Sequence, residues 1–241
     1  YGTLGDNSTT QRNVPVAVVD TGVLAGKTMT QVSANYNSTC AMDSVGGGYC
    51  WGQGGNYQLG NNSQSQSLVP VSLYTASGGL AGPKALSTIS AGYNYGCAAA
   101  SGAVYCWGLN TNYQLGDGTN TARGIPVAVN TASGLAGKTV TQVSSFSSQN
   151  VCALASGSIY CWGTNYYGQF GNGSSQLRPT PSNVPASGAL VGKTVTSLTS
   201  GANYGCVLAT DGKAYCWGSN SNGQLGDGTT TDRTTAVAVN T

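Results

Sequence analysis

The triplet Cys-Trp-Gly occurs four times, beginning at Cys50, Cys106, Cys161 and Cys216, at intervals of 56, 55 and 55 residues. A fixed period of that length confines the chain to an array of similar units, none of which can bury its apolar surface alone. Each unit reads as a Thr-Val/Ser strand, a Cys-containing strand, a Tyr-Cys-Trp-Gly strand, an Asn/Gly-rich loop ending in Leu/Phe-Gly, and a Pro-Val-x-Val strand. Four short strands per unit is the arithmetic of a propeller blade. The units run approximately over 22–76, 77–131, 132–186 and 187–241, after a partial unit at 1–21, and together make a single repeat domain, 1–241.

The register of the central hairpin follows from its turn. In Cys152-Ala-Leu-Ala-Ser-Gly-Ser-Ile-Tyr-Cys161 a two-residue turn at Ser156-Gly157 pairs Ala155 with Ser158, Leu154 with Ile159, Ala153 with Tyr160 and Cys152 with Cys161. The cysteines then fall at a non-hydrogen-bonded pair, where Cα atoms approach to about 4.5 Å, within reach of a disulfide. Ser101-Gly102 repeats this register, whereas Ser44-Val45-Gly46 and Thr210-Asp211-Gly212 carry one extra residue, as a three-residue loop with a left-handed Gly requires. The expected disulfides are Cys40–Cys50, Cys97–Cys106, Cys152–Cys161 and Cys206–Cys216, one per unit. Alternation puts Cys152, Leu154, Ile159 and Cys161 on one face and Ala153, Tyr160 and Trp162 on the other, so both faces are apolar. A sheet with one wet face would alternate apolar with polar, which favours blades packed between blades over a two-layer sandwich.

Composition narrows the chemistry. Gly (37), Ser (27), Thr (27) and Asn (20) make up nearly half of the 241 residues, a composition poor in helix formers, so the class is all-β. All seven acids are Asp, and neither Glu nor His is present. Without His there is no Ser-His-Asp or Cys-His nucleophile and no HExxH zinc site, so the chain is not expected to be an enzyme, and no cofactor or metal is expected. A formal charge of +2 and a pI near 8.1 lack the basic footprint of a nucleic-acid binder. No apolar run approaches the roughly 18 to 20 residues of a membrane span. Eight regularly spaced cysteines in so polar a chain point to an oxidising compartment, extracellular or at the cell surface. Tyr1 already lies inside a repeat, so any targeting segment is expected to have been removed or to lie outside this sequence.

The segments Val-Tyr-Cys-Trp-Gly-Leu-Asn-Thr-Asn-Tyr-Gln-Leu-Gly-Asp-Gly-Thr (104–119) and Ala-Tyr-Cys-Trp-Gly-Ser-Asn-Ser-Asn-Gly-Gln-Leu-Gly-Asp-Gly-Thr (214–229) resemble the regulator-of-chromosome-condensation repeat, and the resemblance covers nearly the whole chain. It implies a β-propeller, usually of seven blades in the family, and a Cys-containing secreted branch of bacterial type. The family often has His two residues before the blade cysteine, where this chain has Ser38, Tyr95, Asn150 and Tyr204, so guanine-nucleotide exchange is not carried over. Extracellular bacterial propellers of this kind, a β-lactamase inhibitor among them, imply a rigid protein-binding platform. Four units fall short of the roughly 385 residues that seven blades would need. Residues 2–21 also repeat the piece found at 223–241. The expectation is an open arc of four blades preceded by an orphan outer strand at 14–18, part of a larger propeller or completed by another chain.

Several residues recur at functional-looking positions. Asp6, Asp117 and Asp227 precede Arg12, Arg123 and Arg233 by six residues; they are read as loop braces, since isolated carboxylates lack the oxygen ligands calcium needs. Lys27, Lys84, Lys138 and Lys193 are read as solvated turn residues rather than a basic ring. Trp51, Trp107, Trp162 and Trp217 are read as core between blades rather than sugar platforms. Tyr36, Tyr93, Tyr95, Phe146 and Tyr204, before the first blade cysteine, and Tyr57, Tyr113, Tyr166 and Tyr167, after Cys-Trp-Gly, are the candidate partner-binding residues, because varied aromatics on a repeated frame suit recognition. Asn7, Asn37, Asn61 and Asn172 begin Asn-x-Ser/Thr sequons, which such a composition also produces by chance. The function expected is a secreted or surface-displayed binding or structural protein contacting a protein or glycan. The alternatives are a filament subunit joined through blade edges, and an inhibitor of an extracellular enzyme.

Overall fold

Ser156 and Gly157 both take positive φ, 51° and 73°, as do Ser101 and Gly102 at 52° and 78°. Two such residues make the tight turn whose twist matches the flanking strands. Gly46 and Gly212 instead occupy the left-handed region at the end of three-residue loops, at φ 84° and 77°. The pairing runs outwards from these turns to set Cys40 opposite Cys50, Cys97 opposite Cys106, Cys152 opposite Cys161 and Cys206 opposite Cys216. All four pairs are disulfides with Cα atoms 4.0–4.1 Å apart.

The computed structural model describes residues 1–82, 84–132, 134–147 and 149–240. The strands are β1 (Met29–Asn35), β2 (Ser38–Asp43), β3 (Gly48–Gly52), β4 (Ser67–Ser72), β5 (Leu86–Ala91), β6 (Tyr95–Ala100), β7 (Ala103–Gly108), β8 (Arg123–Ala128), β9 (Val140–Ser145), β10 (Asn150–Ala155), β11 (Ser158–Gly163), β12 (Arg178–Val184), β13 (Val195–Ser200), β14 (Tyr204–Ala209), β15 (Ala214–Gly218) and β16 (Arg233–Ala238). Taken four at a time in chain order they form four antiparallel sheets, the blades of a β-propeller arc. No helix among the described residues is long and apolar enough to cross a membrane.

Both faces of the third blade are buried, as its alternation requires. Ala153, Tyr160 and Trp162 cluster with Cys97, Val104, Cys106 and Leu115 of the second blade. Cys152, Leu154, Ile159 and Cys161 cluster with Val207, Tyr215 and Trp217 of the fourth. Successive blades also pack through their first strands, β1 on β5, β5 on β9 and β9 on β13; among the described residues no comparably extensive contact returns from the fourth blade to the first.

These first strands are sheet edges, and the preceding blade satisfies their backbone with side chains. The Gln31 amide donates to Ile89 O and accepts from Ile89 N, both at 3.0 Å. Gln142 does the same to Leu198, at 2.6 and 2.9 Å. The middle joint has Thr88 where the others have Gln, and there Ser145 N donates to Ser90 Oγ at 2.9 Å.

Residues 14–18, expected as an orphan outer strand, belong to no sheet of this chain. A fourth strand needs a third strand of its own blade beside it, and the third strands present already pair with β4, β8, β12 and β16. The N-terminal segment is instead tied to the first blade through Thr3 O, which accepts from Thr39 Oγ1 and Trp51 Nε1, both at 3.0 Å, and through Asn7 N donating to Leu68 O at 3.1 Å.

Candidate binding surface

The recurrent Gln-Leu-Gly run is half of a joint whose other half is the tryptophan of the next blade. Trp107, Trp162 and Trp217 donate their indole N–H to Gln58 O, Gln114 O and Gln169 O at 2.9, 3.0 and 2.7 Å. The adjoining Leu59, Leu115 and Phe170 are buried. Gly116, at φ +64°, lies so close to Trp162 that a Cβ there would sit 2.6 Å from the indole nitrogen, so both its conformation and its contact demand glycine. The tryptophans are therefore core.

The motif asparagine organises the loop above this joint. Asn110 accepts from Leu115 N at 3.0 Å and donates to Asp117 Oδ1, Thr119 O and Thr121 O at 2.9–3.1 Å. Asn220 repeats the arrangement on Leu225, Asp227, Thr229 and Thr231. Asp6, Asp117 and Asp227 are closed by Arg12, Arg123 and Arg233 at 2.8–2.9 Å. At Asp117 burial favours the neutral form, but bonds from Thr119, Arg123 and Asn110 outweigh it and hold the pKa below the usual carboxylate value. Thr229 and then Arg233 bring Asp227 down to about 2 against partial desolvation. The third blade has Asn172 in place of the aspartate, and there Arg178 Nε is buried without a hydrogen-bond partner.

These loops share one end of the arc with the turns joining the first and second strands. Gln53 N, Leu109 N, Thr164 N and Ser219 N each donate to the turn of their own blade, at Asn37 O, Asn94 O, Gln149 O and Asn203 O. Gln58 reaches Asn94 of the next blade, Asn112 reaches Gln149, and Ser147 Oγ donates to Asn35 Oδ1 of the first blade at 3.2 Å.

The candidate aromatics divide at this end. Tyr36 is 80 % exposed and leans on the half-buried Tyr93, ring centroids 5.6 Å apart. Tyr166 and Tyr167 are 64 % and 51 % exposed, and Tyr113 and Tyr204 are half-buried. Tyr95 and Phe146 are a correction, because both are fully buried. Tyr95 opens β6, so strand alternation turns its ring towards the third blade, where its hydroxyl donates to Phe146 O and Asn150 O at 2.8 and 2.6 Å. Tyr57, half-buried at φ 63°, rests against Gly124 of the next blade, where any Cβ would meet its ring at 3.0 Å. The matching Gly168 faces Thr234, so bulk on one side of the joint is traded for bulk on the other.

The lysines stand at the opposite end and are not all simply solvated. Lys84 donates to Gly79 O at 2.6 Å with its nitrogen 5.1 Å from the Tyr105 ring centre, and Lys193 pairs with Asp211 at 2.6 Å beside Tyr215. Lys27 lies 3.7 Å from Asp43, whereas Lys138 is exposed. The cleft there between the first and second blades, about 350 Å³, contains Asp43, which is already bonded by Val45 N, Gly47 N and the Tyr49 hydroxyl. Its carboxylate is thus part of the turn. The inter-blade glutamines were not legible as a site: Gln31 and Gln142 recur only in alternate repeats, and that weak periodicity was their one signal.

Residues 46–99, 101–153 and 156–208 match the family profile of the regulator of chromosome condensation (RCC1) repeat, and 195–224 match a second profile of the same name. Each of the three longer stretches starts before the third strand of one blade and ends in the second strand of the next. The chain is 30 % identical over 211 residues to the human E3 ubiquitin-protein ligase HERC2, covering 86 % of this chain and 4 % of the ligase. It is 28 % identical over 240 residues to the ultraviolet-B receptor UVR8 of Arabidopsis thaliana, covering 99 % of this chain and 51 % of the receptor. Among solved structures, human WBSCR16 superposes with a TM-score of 0.76 at 20 % identity, over 90 % of this chain and 54 % of that one. Yeast RCC1 (Prp20), solved bound to Kap60, gives 0.73 at 17 % identity, over 91 % and 50 %. The chain thus spans at most about half the length of these proteins.

Proposed function

The chain belongs to the regulator of chromosome condensation (RCC1) repeat family, and from that premise we propose a non-enzymatic binding scaffold, working outside the cell or at its surface, whose loop-bearing end contacts a protein or glycan. The observation that carries this reading is the exposure of Tyr36, Tyr166 and Tyr167 on loops whose backbones are fixed by the repeated Asn, Gln and Trp bonds. A large, amphipathic side chain held on a rigid frame loses little entropy on binding. One disulfide in each blade supports an oxidising location. Relatives act in the same general way: yeast RCC1 is solved in complex with Kap60, and Prp20p binds Gsp1p and histones.

The test compares the chain with a Tyr36→Ala/Tyr166→Ala/Tyr167→Ala variant of unchanged melting temperature, both immobilised and offered the purified proteins and polysaccharides of an extracellular medium. Retention of a defined component by the first and not the second supports the scaffold, and equal retention overturns it.

Self-association through the end faces is a second reading, favoured by one contrast. Val32 is 67 % exposed where its counterparts Ile89, Val143 and Leu198 are buried, and at the other end Leu208 is 49 % exposed where Leu154 is buried. Sedimentation that shifts with concentration, and ceases to shift in Val32→Lys, is the result this reading requires.

A further inference from the structure

The scaffold reading leaves the partner's chemistry open, and resting on that reading, we infer that the loop-bearing end binds a neutral glycan. The four turns (35–38, 92–95, 146–150 and 201–204) and the four loops (52–58, 108–114, 163–169 and 218–224) contain no Asp, Lys or Arg at all. Every charged side chain lies in the opposite turns and connectors, in the N-terminal segment, or where the chain enters the outer strands. At those entries Asp6, Asp117 and Asp227 are each neutralised by an arginine, while Arg178 and Asp232 have no ion pair among the described residues and Asp232 accepts from Asn220 N at 2.7 Å at the foot of its loop. Protein interfaces enrich arginine and use charge for steering and register. This end offers neither, and an ionised glycan would find no counter-charge at its centre.

What it does offer suits an uncharged sugar. Tyr36 presents an exposed ring whose inclination is fixed by Tyr93, at 58° between the ring planes, so an apolar sugar face meets a platform already in place. Tyr166 and Tyr167 provide a second platform on the third blade, the Tyr167 backbone being pinned by its N–H bond to Gln169 Oε1 at 2.8 Å. Sugar hydroxyls both donate and accept, and Asn and Gln amides do the same from one planar group. Such amides reach the surface of this end on Gln53, Asn56 and Asn112, which are half-buried, and on Asn222, which is exposed.

The experiment is titration calorimetry of the full chain with cellohexaose, laminarihexaose and mannohexaose, and with hexagalacturonate as the anionic counterpart. The expected result is binding of at least one neutral oligosaccharide, with an affinity that changes less than about twofold between about 0.05 and about 0.5 M salt. Tyr36→Ala or Tyr166→Ala/Tyr167→Ala, at unchanged melting temperature, should weaken it about tenfold or more. No binding by any neutral oligosaccharide, binding confined to hexagalacturonate, or indifference to both tyrosine variants overturns the inference. If a purified protein binds instead and Tyr36→Ala abolishes that binding, the glycan falls while the scaffold stands; if neither sugar nor protein depends on these tyrosines, both fall.

Discussion

At Tyr95 one hydroxyl serves two carbonyls of the neighbouring blade, and burial drives its pKa far above the ordinary phenol value against the Ser145 and Phe146 bonds, so it stays a donor at any working pH. Tyr95→Phe keeps the ring and strands Phe146 O, whereas Asn150 O still accepts from Phe146 N, and the expected loss is about 1–3 kcal/mol by urea unfolding. Asn172 is the converse case. Asn172→Asp restores the carboxylate that Asp117 and Asp227 supply to their arginines, and it should stabilise the chain by up to about 1 kcal/mol, because the site is only partly shielded from solvent. Unchanged or lowered stability would show that Arg178 does not need that partner. The aromatic residues were legible by type but not by fate. Tyr95 stands two residues before its cysteine and opens β6, whereas Tyr36 stands four before its own, in the turn that precedes β2. Strand pleat turns Tyr95 into the joint, while Tyr36, outside any strand, is left to solvent by the turn.

The hairpin is the element that the residues specify most completely. A two-residue turn, a period of two and facing cysteines leave no other register, since a slip of one residue would turn Tyr160 and Trp162 to the opposite face. Each disulfide closes a loop of 9 or 10 residues. Loops so short confine the unfolded chain modestly, and Cys97→Ala/Cys106→Ala should cost roughly 2–3 kcal/mol in denaturant titrations. The segment at 14–18 is unpaired within the chain for an equally local reason. Its alternating Val-Pro-Val-Ala-Val pattern describes what a sheet would accept, but strand structure exists only where another strand supplies the hydrogen bonds.

Across the whole molecule, stability should depend on position in the arc as much as on residue type. Leu198→Ala, in a joint between blades, is expected to cost about 2–4 kcal/mol. Val32→Ala, at the equivalent position on the exposed face of the first blade, should stay within about 0.5 kcal/mol by the same calorimetric scan. Response to pH is also a property of the whole charge set. Asp6, Asp43, Asp117, Asp211 and Asp227 all have folded pKa values below the ordinary 3.8. A depressed carboxylate stabilises the fold above its unfolded pKa and loses that contribution as pH falls through the folded one. With no His and no Glu in the chain, the melting temperature should be level from about pH 8 to about pH 5 and fall between about pH 4 and about pH 2. Asp117→Asn and Asp227→Asn should each flatten that fall.

The 55-residue period, the turn chemistry and the two-faced alternation decide that there are blades, how each hairpin is registered and which cysteines meet, because those constraints act within a dozen residues. Which tyrosine is surface and which is joint, which lysine is free, and why Gly must follow Leu were settled only by the next blade along. Trp162 meets Gly116, and Tyr57 meets Gly124, across contacts that no short window of sequence contains. The curvature that brings Ser147 to Asn35, 112 residues apart, is the sum of two such joints, and a third completes the gathering of eight uncharged segments at one end. Each joint is set by close packing between side chains far apart in the chain, and packing of that kind has no signature until both partners are in place.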